Sequence, residues 1–313
     1  MLHVRAIVPA QLTDQVQQLL AADDAVTHVS VMPGVAVSPR GDVVEFDVVR
    51  EGASPILERL REIGLEESGS IVVERVDAAI SLAADRAARR TPGLGVDAVV
   101  WAEVEQQTGE ETQLSAAYLA FMTIAMIIAA VGVLLDQPIL IVGSMVVGPE
   151  FGPLAAMCVG LARWRPALIR RSALALGVGF PFAMILTVAA VWLLTAADLV
   201  NESMLLAERP LTDFIWRPDA LSWVIGFLGG VAGILSLTSA KAGTLVGVLI
   251  SVTTIPAAAN AAVALAYGVR NEAAGSALQL VINLAAIVVA GVLTLLVQRL
   301  IWHRPARLRG SRR

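Results

Sequence analysis

Six long stretches of the chain carry almost no charge, and this limits its possible folds more than any other feature. Five contain no charged residue, and the other, residues 137–162, contains only Glu150. The five uncharged stretches are residues 114–135, 172–197, 220–240, 242–269 and 273–298. Each is longer than the roughly 20 residues that an α-helix needs to cross a hydrocarbon core about 30 Å thick. The sequence therefore predicts an all-α domain of six transmembrane helices over residues 114–301, in contact with the lipid bilayer. An apolar content of 57% likewise excludes a single soluble domain.

The basic residues predict which side of the membrane each loop faces, because short cytoplasmic loops retain Arg and Lys. The segment ARWRPALIRRS, residues 162–172, carries four arginines, and the predicted basic tail, residues 302–313, carries five. The loop over residues 198–219 holds five acids and two arginines. With six crossings, this pattern places both termini in the cytoplasm.

The first 77 residues show the periodicities of a soluble α+β domain. Strands are predicted at residues 2–8, 26–31, 43–50 and 70–76, and helices at residues 10–22 and from Ser54 to Ile63. The resulting order βαββαβ predicts a ferredoxin-like domain over residues 1–77. Residues 1–111 have a net charge of −10 against +6 for the rest of the chain. Nucleic acid, which binds basic surfaces, is therefore not an expected partner.

Residues 78–113 are predicted to link the two domains. The segment VDAVVWAEVEQQ places Val96, Val100 and Val104 on one side of a helix, with Trp101 beside them. An amphipathic helix at the membrane surface would show this pattern. A solvated helix packed on the first domain would show it too, and the sequence leaves both interpretations open.

Glu150 is the most unusual residue of the apolar region, because it lies near the middle of the second predicted span. Pro149 and Pro153 flank it, and proline removes a backbone donor, so we expect this helix to be kinked or broken there. A charged side chain at this depth costs at least about 2.5–3.5 kcal/mol. Glu150 is therefore expected to face the protein interior or water, or to be protonated. Two interpretations follow: an ion or proton site, or a neutral carboxyl that hydrogen-bonds helices together.

The fifth predicted span repeats this pattern of proline beside polar residues. It contains Thr253, Thr254, Pro256 and Asn260, whose polar side chains either bind a solute or satisfy carbonyls that the proline frees. The candidate transport site accordingly comprises Glu150, Pro149, Pro153, Ser144, Thr253, Thr254, Pro256 and Asn260. Shifted by 104 residues, positions 141–162 match 245–266 at six of 22 positions. Two inverted three-helix repeats would explain this match, and so would chance among small apolar residues.

Motifs of catalysis and of cofactor or metal binding are not found in the sequence. It contains no P-loop, no GxGxxG after a strand, no HExxH and no GxSxG. Cys158 is the only cysteine, and His3 and His28 lack the spacing of metal ligands. We therefore expect neither an enzyme nor a bound cofactor or metal.

The run YLAFMTIAMIIAAVGVLLDQPILIVGSMVVGPEFGPLAAMCVGLA, residues 118–162, resembles a family of bacterial integral membrane proteins, domain of unknown function 389. The later AGILSLT, residues 232–238, and the proline of the fifth span extend the resemblance over residues 115–268. Many members have a small residue, Pro, two apolar residues and Gly-Pro where this chain has GPEFGP, so Glu150 departs from the family's pattern. The resemblance implies a protein of the bacterial inner (plasma) membrane but no function.

Two functional hypotheses remain. The first is a transporter or channel for a small solute or ion, with broken second and fifth helices around a midplane site and a cytoplasmic regulatory domain. The alternative is a membrane-anchored sensor or regulator whose cytoplasmic domain binds a metabolite or a partner protein. GxxxG spacings at Gly226/Gly230 and Gly229/Gly233 additionally predict a homo-oligomer.

Overall fold

A computed structural model describes residues 1–76, 79–91, 100–238 and 253–302. These residues form two compact units. The first contains Met1–Val104, and the second contains Glu105–Leu237 together with the described part of Lys241–Arg313. The predicted basic tail, from residue 303 onward, lies outside the described residues, as does Val96 of the predicted linker.

The first unit is built on a four-stranded antiparallel sheet. Its strands are β1 (Leu2–Val8), β2 (Val26–Val37), β3 (Arg40–Val48) and β4 (Ser70–Arg75), in the order β2-β3-β1-β4. Its helices are α1 (Thr13–Ala21), α2 (Arg50–Glu62), α3 (Leu65–Ser68) and α4 (Leu82–Arg90), and α5 (Trp101–Glu111) follows. The alternation seen in the sequence creates the core, because every second residue of β1 and β3 is buried. This architecture is consistent with the predicted ferredoxin-like domain.

Two local predictions for this unit are wrong. Residues 33–42, PGVAVSPRGD, lie outside the strands predicted at residues 26–31 and 43–50, but they belong mostly to β2 and β3, which form a long hairpin that turns at residues 38–39. Helix α2 begins at Arg50 and not at Ser54. Ser54 does not cap the helix, because its hydroxyl accepts a hydrogen bond from the backbone N–H of Trp101 at 3.3 Å.

The second unit is helical. Its helices are α6 (Ala116–Leu134), α7 (Pro138–Val147), α8 (Phe151–Ala162), α9 (Pro166–Ala196), α10 (Glu202–Leu206), α11 (Ala220–Thr238), α12 (Thr254–Ala266) and α13 (Arg270–Trp302), with a short 3₁₀ turn at Asp213–Ile215. Large apolar side chains cover its outside, including Ile185 and Leu193, which are 68% and 72% exposed. A lipid environment accounts for such a surface.

The prediction of six transmembrane helices is wrong. Among the described residues, four helices are long and apolar enough to cross a membrane: α6, α9, α11 and α13. A fifth span is obtained if α7 and α8, which meet at a bend of 55°, are counted as one. The predicted fifth span is represented by α12, whose 13 residues reach only about 20 Å at 1.5 Å per residue. Residues 242–252 of that predicted span lie outside the described part of the chain.

The two inverted repeats of three helices belonged to the same six-helix prediction, and the described residues do not support them either. The break expected at Pro149 and Pro153 is present between α7 and α8, but charge-free composition did not show how long each helix is. The coarser conclusion stands: four candidate spans make this a multi-pass membrane protein.

The GxxxG spacing of α11 packs inside the chain. A methyl group at Gly226 would lie 3.1 Å from the Ala286 side chain, and one at Gly230 would lie 2.7 Å from the Ile287 carbonyl oxygen. These glycines therefore allow α11 to approach α13 closely. Their spacing no longer argues for self-association, and the homo-oligomer stays an untested prediction.

Candidate functional site

The chain breaks between α7 and α8, and the residues of the break explain why. Gly148 has an extended backbone, with φ −65° and ψ 130°, as expected for a residue that precedes proline. Pro149 then ends the helical hydrogen bonding, and α8 starts at Phe151. Pro153 is the third residue of α8, where its missing N–H is not needed, because the first four N–H groups of a helix have no partner within it.

Glu150 lies at this break and is almost completely buried, with 5% of its surface exposed. Its Oε1 accepts a hydrogen bond from the Thr254 hydroxyl at 2.7 Å. Among the residues that the structure describes, no donor reaches its Oε2. The backbone carbonyl of Glu150 accepts from Leu154 in α8 at 3.3 Å. The carboxyl is thus buried with only one of its two oxygens satisfied.

Thr254 is the first residue of α12, so two helices begin at this hydrogen bond. The N-terminal ends of both α8 and α12 carry partial positive charge, which favours a nearby anion. Pro256 is the third residue of α12, which is also the position of Pro153 in α8. Both prolines are buried and neither interrupts its helix.

The other predicted site residues do not contact Glu150 by hydrogen bonds. The Ser144 hydroxyl donates to the Ile141 carbonyl of its own helix at 2.7 Å. The Thr253 hydroxyl accepts from the Asn283 amide at 3.0 Å, and its carbonyl accepts from the same amide at 3.3 Å.

Asn260 belongs to a second polar cluster that sequence reasoning missed. Its amide nitrogen donates to Glu272 at 3.0 Å and to Ser276 at 2.7 Å. Its carbonyl oxygen accepts from Arg209 at 3.3 Å, and Arg209 forms an ion pair with Glu272. The two charged side chains are only 4% and 7% exposed. No pattern in the sequence indicates this cluster, because Arg209 and Glu272 both lie outside the predicted spans, where water is expected to reach them.

Two cavities reach the residues beside Glu150 and Thr254. The Glu111 cavity, of about 420 Å³, is lined by Glu110, Glu111, Gln113, Ser115, Tyr118, Gly148, Pro149, Phe151 and Gly152. The Thr253 cavity, of about 220 Å³, is lined by Pro138, Ile141, Val142, Met145, Leu211, Thr212, Phe214, Ser222, Ile225, Gly226, Thr253, Gln279 and Asn283. Gln279 is 2% exposed, and its amide oxygen has no partner within the described ranges. Apolar walls with a few polar groups are typical of small-molecule sites.

No bound metal is suggested by the side chains. Within residues 1–76, 79–91, 100–238 and 253–302, no group of three or more His, Cys, Asp or Glu side chains could hold a metal ion. Glu150 therefore stands as a single carboxyl with a hydroxyl partner.

Comparison with known proteins confirms the resemblance noted in the sequence. The family described as Domain of unknown function (DUF389) matches residues 145–289. The matched range contains the break at Glu150, Thr254 and the cluster around Asn260. Neither the curated proteins nor the solved structures include a match to the chain.

Proposed function

We propose that this chain, which belongs through residues 145–289 to the DUF389 family, is a membrane transporter or channel that moves a small solute or ion past Glu150. One observation carries the proposal: a buried carboxyl at a helix break is held by the first residue of α12, with a cavity beside each partner. Pro149, next to Glu150, lines one cavity, and Thr253, next to Thr254, lines the other. Sites at broken helices within the membrane are common in transporters.

The energetics of Glu150 favour a functional role over a purely structural one. A charged carboxylate in the membrane interior costs at least about 2.5–3.5 kcal/mol. A single hydrogen bond to a charged group contributes roughly 1.5–3 kcal/mol, and the one from Thr254 leaves the second oxygen unsatisfied among the described residues. An apolar side chain would connect the helices at a lower cost. The carboxyl is therefore better explained by what it binds.

Helix α12 connects the Glu150 contact to the second polar cluster. Thr254, at its start, holds Glu150, while Asn260 holds both Arg209 and Glu272. A shift of α12 would therefore change both contacts together. A movement of one helix that changes two sets of contacts together is the kind of rigid-body motion that alternating access uses.

Flux measurements on the full-length chain in liposomes would test this function. The probes are H⁺, Na⁺, K⁺ and Cl⁻, followed by fluorescent indicators, and small neutral solutes, followed by osmotic swelling. We expect at least one probe to cross faster than in empty liposomes. Glu150→Gln should abolish that flux or change its ion dependence. The matched control is Glu202→Gln, because Glu202 is exposed and lies at the start of α10.

Two results would contradict the proposal. If no probe crossed faster than in empty liposomes, transport would be the wrong function. If Glu150→Gln and Glu202→Gln both transported as the native chain does, Glu150 would be structural. The first result would redirect attention to the alternative, a sensor whose first unit binds a metabolite.

We also propose that the protein resides in the bacterial inner membrane with its first unit in the cytoplasm, and that it is not an enzyme. The arginines of residues 162–172 and the family match support this location. Protease accessibility of tags at the two ends of the chain in right-side-out vesicles would test the orientation. Protection of the tag on the first unit is the expected result.

A further inference from the structure

We infer that Glu150 binds and releases a proton, and that the Glu111 cavity is the route by which this proton reaches it. This inference rests on the proposed function and names the ion that the site handles. Two observations support it. Oε1 of Glu150 has a described hydrogen-bond donor and Oε2 has none, and Gly148 both lies next to Oε2 and lines the cavity.

The hydrogen bonding of Glu150 suits a proton better than a larger cation. Thr254 satisfies Oε1, and Oε2 has no partner in the part of the chain that the structure describes. A proton needs only one free oxygen, and once bound it removes the charge that makes burial costly. A metal cation such as Ca²⁺ requires six to eight oxygen ligands. Across the described ranges, side chains provide no group of three or more His, Cys, Asp or Glu suited to a metal ion.

Gly148 lies next to Glu150 Oε2 and also lines the Glu111 cavity. A methyl group at Gly148 would overlap Glu150 Oε2, and it would come within 2.8 Å of the Ile255 side chain. Because residue 148 is a glycine, it has no side chain that would separate the unsatisfied oxygen from the cavity. The cavity is also large enough for water, which could carry a proton along it.

The lining of the cavity includes two acidic residues. Glu110 and Glu111 both line it, and negative charge in a cleft raises the local concentration of cations, including protons. A methyl group at Gly152 would overlap the Glu111 side chain, so Glu111 lies against the start of α8. Partial burial raises the pKa of Glu111, and the charge of Glu110 raises it further. Tyr118 is the other titratable group that lines this cavity. Glu111 is thus placed to pass protons towards the break.

The proton on Glu150 is directly measurable in the full-length chain in lipid. Infrared difference spectra recorded while the pH is changed report the C=O stretch of a protonated carboxyl, which shifts in D₂O. We expect a titrating band from a buried carboxyl that Glu150→Gln removes and Glu202→Gln retains. Glu150→Asp keeps a carboxyl and should keep a band at a shifted frequency. Glu111→Gln should keep the band but slow its appearance after a pH jump.

Proton flux gives the second readout. Liposomes with an entrapped pH indicator and a K⁺ diffusion potential should acidify faster with the native chain than without protein. Glu150→Gln should return the rate to that of empty liposomes. Gly148→Ala, whose methyl group would push against Oε2, should reduce the flux without removing the carboxyl.

The outcomes separate this inference from the proposed function. If Glu150→Gln left the infrared bands unchanged, Glu150 would not exchange a proton, and the inference would be wrong even if another probe still crossed the membrane. If the Glu150 band titrated but no probe crossed, proton binding would stand and transport would be wrong. A band that appeared at the same rate in the native chain and in Glu111→Gln would exclude the Glu111 cavity as the route.

Discussion

Asp47 in the sheet unit and Glu150 in the helical unit differ in how completely their carboxyl oxygens are hydrogen-bonded. Asp47 on β3 has a partner for each oxygen: Oδ1 lies 2.8 Å from Nδ1 of His3, and Oδ2 lies 2.7 Å from Nδ1 of His28. Glu150 is more deeply buried, yet only Oε1 has a described donor. A fully satisfied carboxylate is typical of a structural role. A buried oxygen without a partner among the described residues carries a free-energy cost that needs an explanation.

The partners of Asp47 extend into a network that holds the first unit together. Burial pushes the pKa of Asp47 up, but the hydrogen bonds and charges of His28 and His3 outweigh it, so the pKa lies below its usual value. His28 also contacts the Ser81 hydroxyl at 2.7 Å, and Ser81 caps the start of α4. His28 has a left-handed backbone, with φ 53°, which is uncommon outside glycine. One carboxylate thus connects three strands and a helix.

The largest loss of stability is expected for a substitution of Glu272. It tests whether a paired carboxylate is structural in the helical unit as well. Glu272→Gln removes the buried charge that Arg209 pairs with and leaves the guanidinium unpaired. Breaking such a pair costs about 3–5 kcal/mol of the free energy of unfolding. Reversible unfolding of the full chain in mild detergent would measure it.

The matched control for Glu272→Gln is Glu66→Gln. Glu66 pairs with Arg61 at 3.1 Å, but its side chain is 65% exposed, so the expected cost is about 0–1 kcal/mol. If the two variants lost the same stability, the Arg209 pair would not hold the helical unit together.

Asp47→Asn should lower the free energy of unfolding by roughly 1–3 kcal/mol at neutral pH, because it weakens hydrogen bonds to a charged group. The folded-state pKa of Asp47 is lowered, so its contribution is present above the unfolded pKa of about 3.9. That contribution is lost as the pH falls through the lower, folded value. The difference between the native chain and the variant should therefore shrink in acid. Asp24→Asn is the control, because Asp24 is 79% exposed and 3.7 Å from Arg90. Equal losses in both variants at neutral pH would refute a structural role for Asp47.

Sequence reasoning singled out Glu150 and Thr254 but did not predict how they are arranged. Glu150 and Thr254 stood out because polar residues beside prolines are rare in apolar stretches, and the 104-residue offset superimposes these two positions. Their hydrogen bond makes them the centre of the site. The strands of the first unit were found because alternation is a local signal. The number of spans was not predicted correctly, because the composition of an apolar stretch does not show how long each helix in it is. Arg209 and Glu272 were missed because their burial depends on packing between residues 63 apart.

Glu150→Gln should not lower the free energy of unfolding as Asp47→Asn does. The amide keeps the shape of the side chain and removes an ionisable group whose second oxygen has no partner among the described residues. We expect the free energy of unfolding to stay the same or to rise by about 0.5–2 kcal/mol, as happens when a group kept for function is replaced. Unfolding in detergent at neutral pH would measure this, with Glu202→Gln as the exposed control. A loss as large as that of Asp47→Asn would show that Glu150 is structural too.

The smallest effect is expected for Thr254→Val, which keeps the shape of the side chain but removes the described donor to Glu150. A neutral, protonated Glu150 would lose an ordinary hydrogen bond, so the free energy of unfolding should fall by about 0.5–1.5 kcal/mol. A permanently ionised Glu150 would lose a bond to a charged group, which costs about 1.5–3 kcal/mol. Thr254→Ser retains the hydroxyl and is the matched control. Repeating Thr254→Val in the Glu150→Gln background gives the coupling between the two side chains. A coupling in the higher range would contradict the proton on Glu150, and one in the lower range would leave the carboxyl neutral for most of the time at that pH.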